Sequence, residues 1–318
     1  MSATALEPID APERTSLFVD GRFPRRRALV LALSLLGGLL VAYAWSAQTA
    51  DDRIGFNTAD ALLGHDANNT PITGIATGIL FAFVTGLAGS FTACNVAVFG
   101  AVGPLVGRAA TRRDKLRAAV TPLGWLAVGM IPVSAAYGAL VGFIGTRMPQ
   151  FSTAVSHGIS PRTAQSMITF GTVGLVMILM GLAALGLVPD PLAAVSRRFR
   201  NAPLVLMGAL VGAFLIGRPY PLFRDMFRHA ASTHNPLYGA TAFALQSVGN
   251  IIVMSTLFLV LSLGLGSRIQ RWLNAKPGRV STVTAAAFII AGAFTVIYWD
   301  VRVLGRLHYI WFPTPPWN

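Results

Sequence analysis

The chain has one thiol, Cys94, in the stretch Ser90-Phe91-Thr92-Ala93-Cys94-Asn95, where hydroxyl and amide groups interrupt an apolar run. Only a thiolate attacks a disulfide, and an apolar helix interior disfavours that charged form. Thr92 and Asn95 matter for this reason: a polar break can admit water or free backbone N–H groups. A lone cysteine excludes an intrachain disulfide and a cysteine metal cluster. It can form a mixed disulfide, but a second thiol must resolve it, and that thiol has to come from a partner. The bland alternative is that Cys94 packs as a small hydrophobe, and Asn95 with Ser90 and Thr92 serves only to bond across helices.

Other polar groups interrupt apolar runs elsewhere. Gly217-Arg218-Pro219-Tyr220-Pro221 breaks a second run, since proline cannot continue the backbone ladder. Arg224, Asp225 and Arg228 follow it, and an Asp225 pairing with Arg224 or Arg228 is the simplest account of them. Gln246 and Asn250 are four apart and share one helix face, where they line a cleft with Cys94 or tie helices together. His65, His157, His229, His234 and His308 all fall outside the apolar runs; imidazole is a common metal ligand, but with no HxxxH or CxxC spacing no metal site is assigned. No phosphate-binding glycine loop, catalytic triad or HExxH appears, and no cofactor is implied.

These groups are carried by a chain that composition assigns to the membrane. Of 318 residues, 54% are hydrophobic and 12% charged, and the mean hydropathy is +0.61. A soluble domain carries about twice that share of charge. The net charge of +13 does not indicate nucleic acid, because the basic residues cluster in short connectors between apolar runs. Runs long enough to cross a bilayer cover 28–47, 74–106, 118–144, 165–189, 203–223, 237–265 and 281–299. Two of them, 74–106 and 237–265, exceed one crossing, which predicts breaks, tilts or re-entrant turns there. Arg25-Arg26-Arg27 ahead of the first run resembles a signal peptide, but the run is long and about 24 polar residues precede the basic cluster. A retained anchoring helix is expected.

Lysine and arginine divide 17 to 8 between the two sets of alternate connectors, which predicts the N-terminus inside and the C-terminus outside. The expected layout is a mobile cytoplasmic tail (1–27), an extra transmembrane helix (28–47), an extracytoplasmic loop (48–73), a six-helix domain (74–299) and an extracytoplasmic aromatic tail (300–318). Within 74–299 the spans fall into two sets of three. Each set opens with an interrupted span, Gly86–Pro104 or Gly208–Leu222, and the two sets enter the membrane from opposite sides. The expected fold is therefore all-α and polytopic: one N-terminal helix plus six helices as two inverted three-helix repeats, with the working site at their interface.

Over about residues 74–299 the chain resembles the CcdA/DsbD transmembrane family, the thiol–disulfide carriers of cytochrome c biogenesis within the LysE-like group. The resemblance rests on the Ser90–Cys94 stretch, the Gly217–Pro221 stretch and the six-span layout. In that family a proline–cysteine pair stands in each broken helix. Here Ala93 precedes Cys94 in the first half, and Tyr220 follows Pro219 where the second cysteine would stand. The resemblance implies Cys94 as the redox thiol, Thr92, Asn95, Pro219, Tyr220, Gln246 and Asn250 as cleft-lining residues, and a prokaryotic plasma membrane as the location. It also implies a membrane or extracytoplasmic redox partner, in addition to membrane lipid, and no nucleic acid. The other expectations are a LysE-like transporter of a small solute or metal ion, and a non-catalytic anchor subunit. Whether Cys94 and Tyr220 meet in one central cavity separates them.

Overall fold

A computed structural model describes residues 16–19, 21–46, 54–67, 69–89, 112–154, 158–217, 221–276, 278–313 and 315. These residues form helices and turns, with no β-strand among them. In a hydrocarbon environment the backbone must satisfy its own hydrogen bonds, and a helix does so within one segment. The helices in chain order are α1 (Arg27–Ala44), α2 (Asn57–Leu63), α3 (Ile75–Ala88), α4 (Arg112–Ile144), α5 (Pro161–Ala184), α6 (Ala193–Arg198), α7 (Ala202–Gly217), α8 (Pro221–Ser232), α9 (Pro236–Asn274), α10 (Arg279–Val296) and α11 (Arg302–Arg306). Five segments are long and apolar enough to cross a membrane, and α7 with α8 makes a sixth if the bent pair is one span. The protein is an all-α multi-pass membrane protein. Helix α3 is apolar but short, and the rest of the expected 74–106 span lies outside the described residues.

Local sequence sets several helix ends. The Ser160 hydroxyl accepts from the Thr163 N–H at 3.3 Å, with Pro161 at the first helical position of α5. Asn235 Oδ1 likewise accepts from Leu237 and Tyr238 (3.0 and 3.1 Å), with Pro236 opening α9. Both pair a capping side chain with a proline whose missing N–H costs nothing there.

The two sets of three helices pack in twofold order. Helix α3 lies on α9, and α7 lies on α4; α4 and α9 pack together, as do α5 and α10. The close approaches repeat in register. A Cβ on Gly86 (α3) would strike the Gln246 carbonyl, and one on Gly249 (α9) the Phe83 carbonyl. In the other pair, a Cβ on Gly208 (α7) would strike the Leu126 carbonyl and one on Gly129 (α4) the Val205 carbonyl. Gly208 and Val205 stand 122 positions after Gly86 and Phe83; Gly249 and Gln246 stand 120 after Gly129 and Leu126. Gly174 and Gly292 face each other's carbonyls across α5 and α10, so that contact is its own mate. Small residues let helix backbones approach closely where lipid supplies no hydrophobic drive between helices. The inverted-repeat expectation therefore has a packing counterpart.

Three features differ from the sequence expectation. First, α9 is one continuous helix of 39 residues, about 58 Å long at 1.5 Å per residue, so of the breaks, tilts or re-entrant turns expected over 237–265 neither a break nor a re-entrant turn occurs. Second, the connector after the second break is itself a helix. It buries Leu222, Phe223, Met226, Phe227, Ala230 and Ala231 on α3, α4 and α9, leaving Arg224 and Asp225 half-buried and Arg228 exposed. It stands at 81° to α7. Third, the N-terminal segment is not wholly a mobile tail. Phe18 and Val19 are 4% and 5% exposed, and the Phe18 ring meets Phe288 edge-on at 5.2 Å in a core with Leu123, Met254 and Phe258. Ser281 Oγ donates to the Arg22 carbonyl at 2.5 Å, and Arg27 Nη1 donates to the Gly186 carbonyl at 3.0 Å. Leu17 and Phe18 pack against this core and hold the docked segment by apolar contact. The chain also stays helical past 299, through a π turn at Ile297–Val301 into α11.

Candidate functional site

Of the residues singled out in the sequence, Thr92, Cys94, Asn95, Pro219 and Tyr220 lie outside the described residues, and so does the question of whether Cys94 meets Tyr220. Gln246 and Asn250 are described, and both are buried on α9 (2% and 7% exposed). They belong to the side of α9 that faces α3, where the Gly86 backbone rests on the Gln246 carbonyl. Helix α3 ends at Ala88, with the Gly89 N–H bonded to the Thr85 carbonyl at 2.8 Å; Cys94 follows five positions later. Beside Gln246, the Ser247 hydroxyl donates to Ser134 Oγ at 2.7 Å, tying α9 to α4 through two fully buried hydroxyls.

The twofold register shows that this polarity is one-sided. The α4 counterparts of Gln246 and Asn250, 120 positions earlier, are Leu126 and Met130. A small cavity there is lined by Leu123, Leu126, Met130, Val211, Ile251 and Met254, with no polar side chain. Buried amides in a membrane helix are costly unless they are bonded or line a path. Of these two pairs of register positions, the α3 side carries the amides and the α7 side carries Leu126 and Met130, and α3 is the helix that precedes the Thr92–Asn95 stretch in sequence.

A second polar cluster closes the end of α7, where the sequence predicts a break. The last carbonyls of a helix have no partner within it. Here Gln165 Nε2 donates to the Ile216 carbonyl at 2.6 Å and Ser166 Oγ to the Gly217 carbonyl at 2.5 Å. Gln165 Nε2 also donates to the Tyr137 hydroxyl at 2.7 Å, and that hydroxyl donates to Gln150 Oε1. Helices α4 and α5 and the turn at Pro149–Phe151 thus hold the broken end of α7 through side chains. None of Tyr137, Gln150, Gln165 or Ser166 was singled out from the sequence. The available signal was a Gln-Ser pair near the start of an apolar span, since such groups seek backbone partners inside a bundle.

No family model, curated protein or solved structure matches the chain.

The charged groups of α8 are arranged as the simple reading expects, with Arg228 4.0 Å from the Asp225 carboxylate. His229 stands edge-on to Tyr238 at 5.5 Å, in space left by Gly78. Among the described residues no three His, Cys, Asp or Glu side chains gather as metal ligands would. The amide and hydroxyl groups around Gln246 can orient a polar group or stabilise a break by hydrogen bonding.

Proposed function

We propose that the chain is an inverted-repeat membrane carrier of the CcdA/DsbD-like kind. It sits in a prokaryotic plasma membrane with its N-terminal segment cytoplasmic, and it supports maturation of extracytoplasmic redox or haem proteins through Cys94. The observation that carries this reading is the one-sided placement of Gln246 and Asn250 in an otherwise twofold bundle. These amides stand against α3, the helix that leads into the only cysteine. The orientation rests on the 17 to 8 division of basic residues. A Cys substitution within 108–117 should resist an impermeant thiol reagent in intact cells, and labelling there would reverse it.

In this reading the Cys94 thiolate attacks the disulfide of an oxidised partner. That disulfide breaks, a mixed disulfide forms, and the leaving sulfur departs as a thiolate. A thiol of a reduced second partner then attacks the Cys94 sulfur and releases the first partner as a dithiol. The second partner's other thiol closes its own disulfide and frees Cys94. Two electrons pass from one partner to the other, and Cys94 is regenerated. Acid quenching, alkylation of free thiols and a non-reducing gel should show an adduct in the wild type and none in Cys94→Ser. Full function of Cys94→Ser with no adduct trapped would refute the thiol reading. The same buried amides favour, as second reading, a LysE-like carrier of a small polar solute or metal ion, and transport that persists in Cys94→Ser would select it.

A further inference from the structure

The cluster that closes α7 leaves hydrogen-bond donors unused, and the direction of its bonds shows which. The Ile216 carbonyl can only accept, so Gln165 presents its amide nitrogen there and spends both hydrogens on that carbonyl and the Tyr137 oxygen. Tyr137 has one hydrogen, which goes to Gln150 Oε1. Gln150 Nε2 is therefore a donor, held in place by its own oxygen, and it has no partner although the residue is only 8% exposed. Arg224 Nε, on α8, is likewise buried without a partner. Both side chains line one cavity with Arg162, Gln165, Ser166 and Phe227. Among the described residues two guanidinium groups thus border a space that no carboxylate lines, and the adjoining Ile216 and Gly217 carbonyls accept from Gln165 and Ser166 respectively.

We propose that this cavity binds a small anion, taking a halide or one oxygen of a carboxylate or phosphate onto Gln150 Nε2 and Arg224. A buried donor without an acceptor calls for an unseen partner. Water would satisfy the donors, but the positive charges of Arg162 and of Arg224, the latter shared with the neighbouring Asp225, add attraction for an anion. The cavity, about 20 Å³, has room for roughly one water-sized group, so only one acceptor atom enters and the rest of a larger anion stays outside. The anion would also fix α8 to α5 and to the turn after α4, across the break that follows Gly217. This inference does not depend on Cys94.

The test uses the full chain purified in a maltoside detergent without phospholipid. Equilibrium dialysis with radiolabelled chloride, acetate and inorganic phosphate should show saturable binding of at least one of them. Gln150→Glu keeps the acceptor for Tyr137 and replaces the amide donor by a negative oxygen, so affinity should fall at least tenfold. Arg224→Gln should show a similar loss, and it serves if Gln150→Glu does not fold. The phosphate could instead belong to a lipid headgroup. In that case the wild type recovered from phosphatidylglycerol vesicles retains one lipid in native mass spectrometry and Arg224→Gln does not, while free anions fail to bind. Absence of both free-anion and lipid binding, or binding unchanged in both variants, overturns the proposal.

Discussion

Phe18 offers the sharpest measurement of how the N-terminal segment is held. Its side chain is 4% exposed, and with the N-terminal segment on the cytoplasmic side, as proposed, the ring is drawn from water rather than lipid and the hydrophobic effect applies to it. Burying a phenylalanine contributes about 1.5–3 kcal/mol, and an edge-on aromatic pair such as that with Phe288 adds about 0.5–1.5. Phe18→Ala should therefore weaken docking of the segment by about 2–4 kcal/mol. At about 1.4 kcal/mol per tenfold, the ratio of docked to free segment falls roughly 30- to 700-fold. The neighbouring Val19, 5% exposed, provides the probe. In a Cys94→Ser background, Val19→Cys should react slowly with a maleimide in purified protein and much faster once Phe18→Ala is added. Phe18→Leu, which keeps most of the apolar area, should react at an intermediate rate. If Phe18→Ala changes the rate by less than about twofold, docking does not depend on this ring and the reasoning fails.

The glycines along the helix contacts should divide by what faces them. Gly138→Ala drives a methyl into the Gly239 carbonyl across α4 and α9 and should lower the unfolding midpoint in detergent. Gly124→Ala on the same helix meets nothing within 4 Å, and should leave the midpoint unchanged or raise it by the helix preference of alanine, about 1 kcal/mol. Gln165→Leu removes the donor to the Ile216 carbonyl and leaves a buried acceptor unmet at a cost of about 1–3 kcal/mol. Amide exchange along α8 should quicken in that variant, and unchanged exchange would show that the broken end of α7 is held by something else.

Much of the bundle could be read from apolar run length and from breaks, because those signals are local. The break after Gly217 was legible in Gly217, Pro219 and Pro221. Helix α8 was legible too, in Leu222, Phe223, Met226, Phe227, Ala230 and Ala231, whose spacing marks one helix face; charged neighbours made it read as a connector. What holds the break was not legible. Gln165 and Ser166 are 51 positions from the carbonyls they satisfy, and Gln165 is 28 from Tyr137, so only the packed bundle brings them together. Phe18 was missed because three apolar residues in a polar stretch set no period, and their partner Phe288 lies near the other end of the chain. At the candidate site, the pairing of Gln246 with Asn250 followed from their spacing. Their one-sidedness became visible only once the glycine contacts fixed the register between the halves.

Helix α1 packs on α10, whose first residue, Arg279, is synthesised 235 positions after α1 ends at Ala44. At roughly 5–20 residues per second, α1 waits on the order of ten to fifty seconds in the bilayer before its partner exists. Its composition suits that wait. Ala28–Ala44 carries no charge, and Leu29, Leu33, Leu36 and Leu40 remain exposed in the finished bundle. Its buried residues, Ser34, Gly38 and Ala42, recur every fourth position, a stripe of small side chains kept for a helix not yet made. Gly38 then receives the Ile290 carbonyl and Ala293, and Arg22 receives the hydroxyl of Ser281. Helix α1 is thus made long before it can lock, and an α10 that fails to insert leaves α1 and the Phe18 strap without a seat.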